Sequence, residues 1–167
     1  MESTQTVNGF IRTSSALPRV RAAVPTDFGR IMHLCEQLYA ENGAVNVDWD
    51  LVERVIFDGV NGKQSCLGVI GGDEIEAMIY LRISRMWYSS DVVLEELMNF
   101  VSQPYRKTMN AKALIEFAKE SSRRLEVPLL IGVISNEKTE AKIRLYSRYL
   151  GQPAGAFFLY GAKTGDR

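Results

Sequence analysis

The sequence has little cysteine and little histidine. Among its 167 residues, Cys35 and Cys66 are the only cysteines and His33 is the only histidine. Two cysteines without a ligand-like spacing argue against a disulfide framework and against a zinc site, so we expect no metal. A Ser-His-Asp or Cys-His mechanism would have to run through His33, which disfavours enzymes of that type.

The sequence also lacks net charge and long apolar runs. Twenty basic and twenty acidic side chains cancel, whereas proteins that bind nucleic acids carry a basic excess, so nucleic acid is not expected as a partner. No apolar run approaches the ~20 residues of a membrane helix. The polar N-terminus has no apolar core of the signal-peptide kind. We therefore expect a cytoplasmic protein with no membrane partner.

What remains is an ordinary globular composition, with 46% hydrophobic residues. The length is enough for one domain with its own core. Residues 1–18 are polar and rich in Ser and Thr, which predicts a flexible tail. Residues 19–167 are expected to form a single domain.

The hydrophobic periodicity predicts the order β-α-α-β-β-β-α-β-α-β. Strands are expected over residues 19–23, 66–70, 75–83, 92–101, 129–134 and 155–160. Helices are expected from residues 25–27, with Thr26 or Asp27 as the cap, to Asn42, and over residues 48–57, 109–125 and 137–150. This order predicts an α/β (α+β) fold with a mixed, mostly antiparallel central sheet flanked by helices. A gap between splayed parallel strands is a natural ligand crevice in such sheets.

The junction between strand 92–101 and helix 109–125 reads QPYRKTMNAKAL over residues 103–114. The first amides of a helix have no intrahelical partner and carry partial positive charge, so they suit a pyrophosphate. Arg106 and Lys107 add charge, and Thr108 offers a hydroxyl. The alternative interpretation is an ordinary capped helix after a proline turn.

A wider pattern surrounds this junction. The strand ends in Phe100-Val101, and the loop continues with Arg106 and Ala111. Downstream, Asn136 follows a strand, and a Leu-Tyr pair ending in Tyr146 stands five residues before Gly151. Over residues 19–163 the element order and these residues resemble the GNAT superfamily of acetyl-CoA-dependent N-acetyltransferases.

The resemblance implies that acetyl-CoA is a co-substrate. The residues expected to bind it are Phe100, Val101, Arg106, Lys107, Thr108, Met109, Asn110, Ala111, Asn136 and Tyr146. Met109 stands where the family usually has glycine, whose absent side chain lets the backbone approach the pyrophosphate. We therefore expect weakened acyl-CoA binding.

The resemblance also implies catalytic roles. Glu95 and Glu96 are adjacent in a strand, so only one of them is expected to face the cleft as the base. Alignment with the family on Val101 puts the catalytic glutamate at Glu95. Tyr146 is expected to protonate the departing thiolate.

The amine acceptor is expected near five side chains, Glu36, Tyr39, Glu41, Trp87 and Tyr88. Aromatic rings with carboxylates suit a cationic amine. The alternatives are that the rings cover the edge of the core, that the glutamates line a solvated helix face, or that the aromatic loop is a partner surface.

The function expected from the resemblance is N-acetyl transfer from acetyl-CoA to a primary amine of a small molecule or peptide, by direct attack in a ternary complex. One alternative is a non-catalytic acyl-CoA-binding or partner-binding module on the same fold. Another is an acetyltransferase toxin that acts on aminoacyl-tRNA. Homodimers are frequent in the superfamily, and the sequence itself leaves the oligomeric state open.

Overall fold

The computed structural model describes residues 16–43, 45–62, 65–135 and 138–161. Within these ranges the strands are β1 (Arg21–Ala22), β2 (Ser65–Gly71), β3 (Ile75–Arg85), β4 (Val92–Val101) and β5 (Leu129–Leu130). The helices are α1 (Phe28–Asn42), α2 (Trp49–Val60), α3 (Asn110–Leu125) and α4 (Thr139–Leu150). Short 3-10 turns, Pro25–Asp27 and Gln103–Tyr105, precede α1 and α3.

The five strands form one sheet in the order β1-β2-β3-β4-β5. The first four are antiparallel to their neighbours, and β5 is parallel to β4. The prediction of a mixed, mostly antiparallel sheet flanked by helices is confirmed. The parallel ladder contains only the pairs Leu94–Leu129 and Glu95–Leu130. Beyond Glu95, β4 therefore has an edge that β5 does not cover.

A β-bulge interrupts β4 where this edge begins. Tyr80 of β3 pairs with Met98, but the next residue, Leu81, pairs with Glu96, so Leu97 is one residue too many. An extra residue bends the strand and reverses the alternation of its side chains. Leu94 accordingly packs in the cluster beneath α3, whereas Met98 and Phe100 pack in the cluster beneath α1 and α2.

The two clusters form the core on opposite faces of the sheet. α1 buries Ile31, Leu34, Cys35 and Leu38 at helical spacing against one face. α3 buries Ala113, Leu114 and Ala118 against the other. Each fully buried Leu or Ile side chain contributes about 1.5–3 kcal/mol. The sandwich fixes β4 and α1, which both contribute to the cavity described below.

The start of α1 differs from the sequence prediction. Neither Thr26 nor Asp27 caps the helix through its side chain, because a 3-10 turn comes first. The Asp27 carboxylate instead accepts hydrogen bonds from the Val24 amide at 3.0 Å, from Arg21 at 2.7 Å and from Arg30 at 3.0 Å. The bond from Arg21, helped by the Val24 amide and the charge of Arg30, lowers the pKa of Asp27 against the opposing effect of burial.

Two strand predictions are wrong. β5 covers residues 129–130 and not 129–134, and residues 155–160 form no strand. Phe158 and Tyr160 there are 96% and 101% exposed. Strand-forming residues need a partner edge and a face to pack on, and residues 155–160 have neither in the described structure.

Two sequence expectations concern the chain beyond the sheet. Of the predicted tail 1–18, residues 1–15 lie outside the described residues, and residues 16–18 carry no helix or strand. Across the described ranges no helix is both long and apolar enough to cross a membrane. The cytoplasmic location stays a prediction.

We predict that Asp27→Ala lowers the free energy of unfolding by about 3–5 kcal/mol. The substitution leaves Arg21 and Arg30 without their shared carboxylate, and Asp27 is only 1% exposed. Urea denaturation measures the change. Asp73→Ala, in the exposed turn between β2 and β3, is the matched control and is expected to stay within about 0.5 kcal/mol. Equal losses in both variants would contradict the prediction.

Candidate active site

A cavity of about 390 Å³ opens along the uncovered edge of β4. Its walls come from α1, the start of α2, β4, the chain after β5, and α4. The lining includes Tyr39 and Asn42 of α1, residues 45–48 before α2, residues 96–99 of β4, residues 132–134, and Lys142 and Tyr146 of α4. The cavity exists because the β4–β5 ladder ends after two pairs.

Glu96 is the carboxylate that β4 contributes to this cavity. Burial raises the pKa of Glu96 to about 7, and the neighbouring charge of Glu95 adds to the rise. A hydrogen bond from the Gly132 amide and the charge of Lys142 oppose it. A carboxyl group with a pKa near neutrality can take up and release a proton at neutral pH, which is what a general base requires.

Tyr146 contributes a hydroxyl to the same cavity from the middle of α4. Burial is the main cause of a raised Tyr146 pKa, followed by the charge of Glu96, and a side-chain hydrogen bond with Asn99 opposes the rise. The hydroxyl therefore stays protonated at neutral pH. A protonated phenol beside a carboxylate provides one proton donor and one acceptor for the same reacting centre.

Glu95 does not line the cavity. Its carboxylate is paired with Arg82 of β3 at 2.9 Å, directly across the ladder. The alignment that put the cleft-facing glutamate at Glu95 therefore disagrees with its placement. Because Leu97 is an extra residue in the ladder, Glu96 and not Glu95 lies on the same side of β4 as Asn99 and Val101.

The Arg106 guanidinium has hydrogen-bond partners within the protein. One guanidinium nitrogen donates to both carboxylate oxygens of Glu41 at 2.6 Å, and Nε donates to the carbonyl of Val101 at 3.2 Å. The guanidinium also lies 5.6 Å from the centre of the Phe100 ring. Arg106 thus ties the end of α1 to the loop before α3. A phosphate that binds Arg106 has to share it with Glu41.

Polar groups in the loop before α3 form hydrogen bonds within the protein, and the loop does not line the cavity. Thr108 donates to the Tyr105 carbonyl at 2.6 Å and accepts from the Asn110 amide at 3.2 Å. The buried Asn110 side chain donates to Glu76 at 2.9 Å. Lys107 and Met109 are exposed, and Ala111 is half-buried in the first turn of α3. This segment therefore offers an anion two features, the N-terminal end of α3 and the Lys107 ammonium.

The remaining predicted cofactor residues have different placements. Phe100 packs in the core, Val101 is half-buried at the end of β4, and Asn136 lies outside the described residues.

One of the five predicted acceptor residues reaches the cavity, and Glu41 is instead paired with Arg106. Tyr39 lines it and contacts Trp49 edge-on, with ring centres 6.1 Å apart. Glu36 is exposed and lies 3.2 Å from His33. Trp87 and Tyr88 stack edge-to-face on each other in the exposed turn before β4, where Trp87 is 95% exposed.

Sequence reasoning missed Lys142 and Asn42 as site residues. Lys142 Nζ donates to Asn42 Oδ1 at 3.1 Å, which joins α4 to the end of α1. Lys142 stands four residues before Tyr146, so helical spacing puts both on one side of α4 and was the available signal. For Asn42 the sequence indicates only a helix end. Within the described ranges, no three His, Cys, Asp or Glu side chains cluster as metal ligands.

We predict that Glu96→Gln stabilises the protein at pH 8 by on the order of 2 kcal/mol. The folded-state pKa of Glu96 is raised from 4.5 to about 7. Between these values the folded state keeps a proton that the unfolded state has lost, so its stability falls as pH rises through the window. Each tenfold change in proton affinity contributes about 1.4 kcal/mol, reduced here by partial exposure.

Urea denaturation at pH 4 and pH 8 measures this effect. The gain is expected at pH 8 and is expected to vanish at pH 4, where both states are protonated. Glu95→Gln, which breaks the surface pair with Arg82, is the matched control and is expected to cost at most about 1 kcal/mol. A gain of equal size at both pH values would contradict the assignment.

Comparison with known proteins finds relatives by structure alone. No protein-family model and no curated protein matches the sequence. AAC(6')-Iy, solved with a CoA-containing bisubstrate analog, is similar with a TM-score of 0.68 and 14% identity over 87% of this chain and 97% of that one. NAA60 of Arabidopsis thaliana, solved with a bisubstrate analogue, has a TM-score of 0.63 and 20% identity, over 78% of this chain and 80% of that one.

An acetyltransferase of Trypanosoma brucei gives a TM-score of 0.62 and 20% identity, over 84% of this chain and 96% of that one. The chain therefore has the fold of the GNAT acetyltransferases.

Proposed function

We propose that the protein is an N-acetyltransferase that moves an acetyl group from acetyl-CoA to a primary amine of a small molecule or peptide. The observation that carries the proposal is that the Glu96 carboxylate and the Tyr146 hydroxyl line one cavity, at the point where β4 and β5 part. Proteins that share the fold include acetyltransferases crystallised with acetyl-CoA or a CoA-containing analog.

Acetyl-CoA supplies a reactive thioester, and the features of β4 and α3 suit it. The β4 edge beyond Glu95 has backbone groups that the β5 ladder does not use, and such an edge can pair with the amides of a pantetheine arm. The first turn of α3 provides amides and partial positive charge for the pyrophosphate. Backbone amides near residues 97–99 lie at the cavity, where they suit the developing oxyanion.

The chain's residues divide the proton transfers between them. Glu96 accepts a proton from the ammonium form of the acceptor, directly or through water, which frees the nitrogen lone pair. The nitrogen then forms a bond to the acetyl carbonyl carbon, and the carbon–sulfur bond breaks. Tyr146 protonates the departing thiolate and regains a proton that the nitrogen releases.

A non-catalytic acyl-CoA-binding or partner-binding module on the same fold is the second candidate. The pairing of Arg106 with Glu41 favours it, because that pairing neutralises the cation that the junction offers a phosphate. The two candidates differ in whether Glu96 and Tyr146 affect turnover. The oligomeric state stays open, as it was from the sequence.

We predict that Glu96→Gln lowers kcat/KM for amine acetylation by at least about 100-fold, and that Tyr146→Phe lowers it by about 10- to 100-fold. The assay follows release of free thiol from acetyl-CoA with a panel of primary amines. In the wild-type protein, activity is expected to fall tenfold per pH unit below about pH 7, where Glu96 becomes protonated.

Glu95→Gln is the matched control, since it neutralises the adjacent carboxylate, which lies outside the cavity. Its activity is expected to stay within about threefold of the wild-type value. Loss of activity in Glu95→Gln with full activity in Glu96→Gln would return the role of base to Glu95. Binding of acetyl-CoA without turnover of any amine would favour the non-catalytic module.

We predict that Arg106→Ala weakens acetyl-CoA binding by roughly tenfold, because a charge-assisted bond to phosphate is lost. Glu41→Gln is expected to strengthen acetyl-CoA binding, since the phosphate then no longer competes with the Glu41 carboxylate for Arg106. Calorimetric titration measures both, and Arg144→Ala, an exposed arginine of α4, is the control. Weaker binding in both variants would mean that the Arg106–Glu41 pair serves the loop structure alone.

A further inference from the structure

The cavity holds a cation that the proposed acetyl transfer does not use. Lys142 lines it from α4, is half-buried, and lies within electrostatic range of Glu96. Burying an ammonium group is costly, so a lysine placed in such a cavity needs compensating contacts. Lys142 lies one helical turn before Tyr146 on α4, so its ammonium lies beside the proposed reacting centre.

Asn42 fixes the direction of this ammonium. The Asn42 side chain donates to the Leu38 carbonyl at 3.0 Å, so its oxygen is turned toward Ser135 and Lys142. That oxygen accepts from Ser135 Oγ at 2.9 Å and from Lys142 Nζ at 3.1 Å. An ammonium group has three donors, and Asn42 takes one of them. Among the residues that the structure describes, Asn42 is the hydrogen-bond partner of this ammonium, which leaves its other donors for a ligand in the cavity.

Two carboxylates near the cavity are paired with arginines. Glu41 is paired with Arg106 at 2.6 Å, and Glu95 with Arg82 at 2.9 Å. Within the described part of the chain, Glu96 and Lys142 have no such ion pair, and they stand as a carboxylate and an ammonium on opposite walls, β4 and α4, of the same cavity. Asp48 lies at the cavity too, but its carboxylate caps α2 by accepting from the Leu51 amide at 3.0 Å.

We propose that the acceptor is a free α-amino acid with an apolar side chain, whose carboxylate binds Lys142 beside Asn42 while its amino group faces Glu96. This inference rests on the proposed acetyl transfer. The amino and carboxylate groups of an α-amino acid are carried by one carbon atom, so both charges fit between two neighbouring protein charges. Leu38, Val47, Leu51, Val52, Leu97 and Met98 give the cavity an apolar wall for the side chain.

Other amines fit this charge arrangement less well. A polyamine would bring a second ammonium group toward Lys142, which repels it. A peptide N-terminus has an amide in place of the adjacent carboxylate and brings no counter-charge to the Lys142 ammonium. Selectivity built on a buried charged group is strong, since the wrong ligand leaves that group unpaired.

The reaction balances for such an acceptor. The zwitterion loses one ammonium proton to Glu96, and its nitrogen attacks the acetyl carbonyl carbon of acetyl-CoA. The amide carbon–nitrogen bond forms, the carbon–sulfur bond breaks, and the sulfur leaves with a proton from Tyr146. The nitrogen gives up its second proton to restore Tyr146. The products are the N-acetyl amino acid, CoA with a free thiol, and one proton released from Glu96 to solvent.

The first test compares three acceptors that share one side chain and uses the wild-type protein. L-leucine has the carboxylate, L-leucinamide has a neutral amide there, and 3-methylbutylamine has no group there. We expect kcat/KM for L-leucine to exceed that for either analogue by roughly ten- to hundred-fold, the range for one charge-assisted hydrogen bond. Equal or higher values for 3-methylbutylamine would overturn the amino-acid proposal.

The second test assigns the selectivity to Lys142. Lys142→Met removes the charge and keeps the length of the side chain, so it should lower the ratio of kcat/KM for L-leucine to kcat/KM for 3-methylbutylamine roughly tenfold or more. A change that acts through Glu96 affects both acceptors and leaves this ratio unchanged. Lys142→Arg should restore part of the preference. Lys119→Met, the same change on the outer part of α3, is the control. Equal losses for both acceptors in Lys142→Met would overturn the carboxylate-binding role.

The outcomes separate this inference from the proposed function. Acetylation of amines without a preference for the carboxylate would keep the acetyltransferase and remove the amino-acid acceptor. Failure to bind acetyl-CoA in calorimetry, or failure to acetylate any amine in the panel, would remove both. Acetylation of L-leucine with the preference lost in Lys142→Met supports both.

Discussion

The candidate site depends on the place where β4 stops pairing with β5. Two ladder pairs hold the strands together, and the bulge at Leu97 begins where those pairs end. Parallel strands that run side by side leave no room between them, so an early end to the ladder is what creates the cavity. The same bulge decides which of two neighbouring glutamates reaches it.

The cavity combines features that weaken a folded protein. Glu96 and Lys142 both lose water on burial, and their mutual attraction offsets that cost only in part. Such an arrangement is common where a group must change its protonation state, because burial is what moves its pKa. The compensation comes from elsewhere in the fold, chiefly from the two apolar clusters and the buried Asp27 network.

The sequence predicted the fold and part of the site. Residues 92–101 form β4 as expected, because strand periodicity is a local signal. Tyr146, which was expected at the site from the family resemblance, lines the cavity. The orientation of Glu96 depends on a single unpaired residue, which no periodicity reveals. The partner of Arg106 is Glu41, 65 positions earlier in the chain, and only the tertiary structure brings them together. Residues 155–160 have strand propensity, but propensity does not supply the edge they would need.

The way α4 is attached has a consequence for dynamics. α4 has no fully buried residue, and the strand before it joins the sheet through two pairs only. Regions with few buried contacts open at a free energy well below that of global unfolding, so amides of residues 139–150 should exchange with solvent sooner than those of α3. A ligand that contacts both β4 and α4 would slow this exchange, because it binds the closed form alone. Tyr146 and Lys142 thus lie on a helix that opens readily without a ligand and that ligand binding would stabilise.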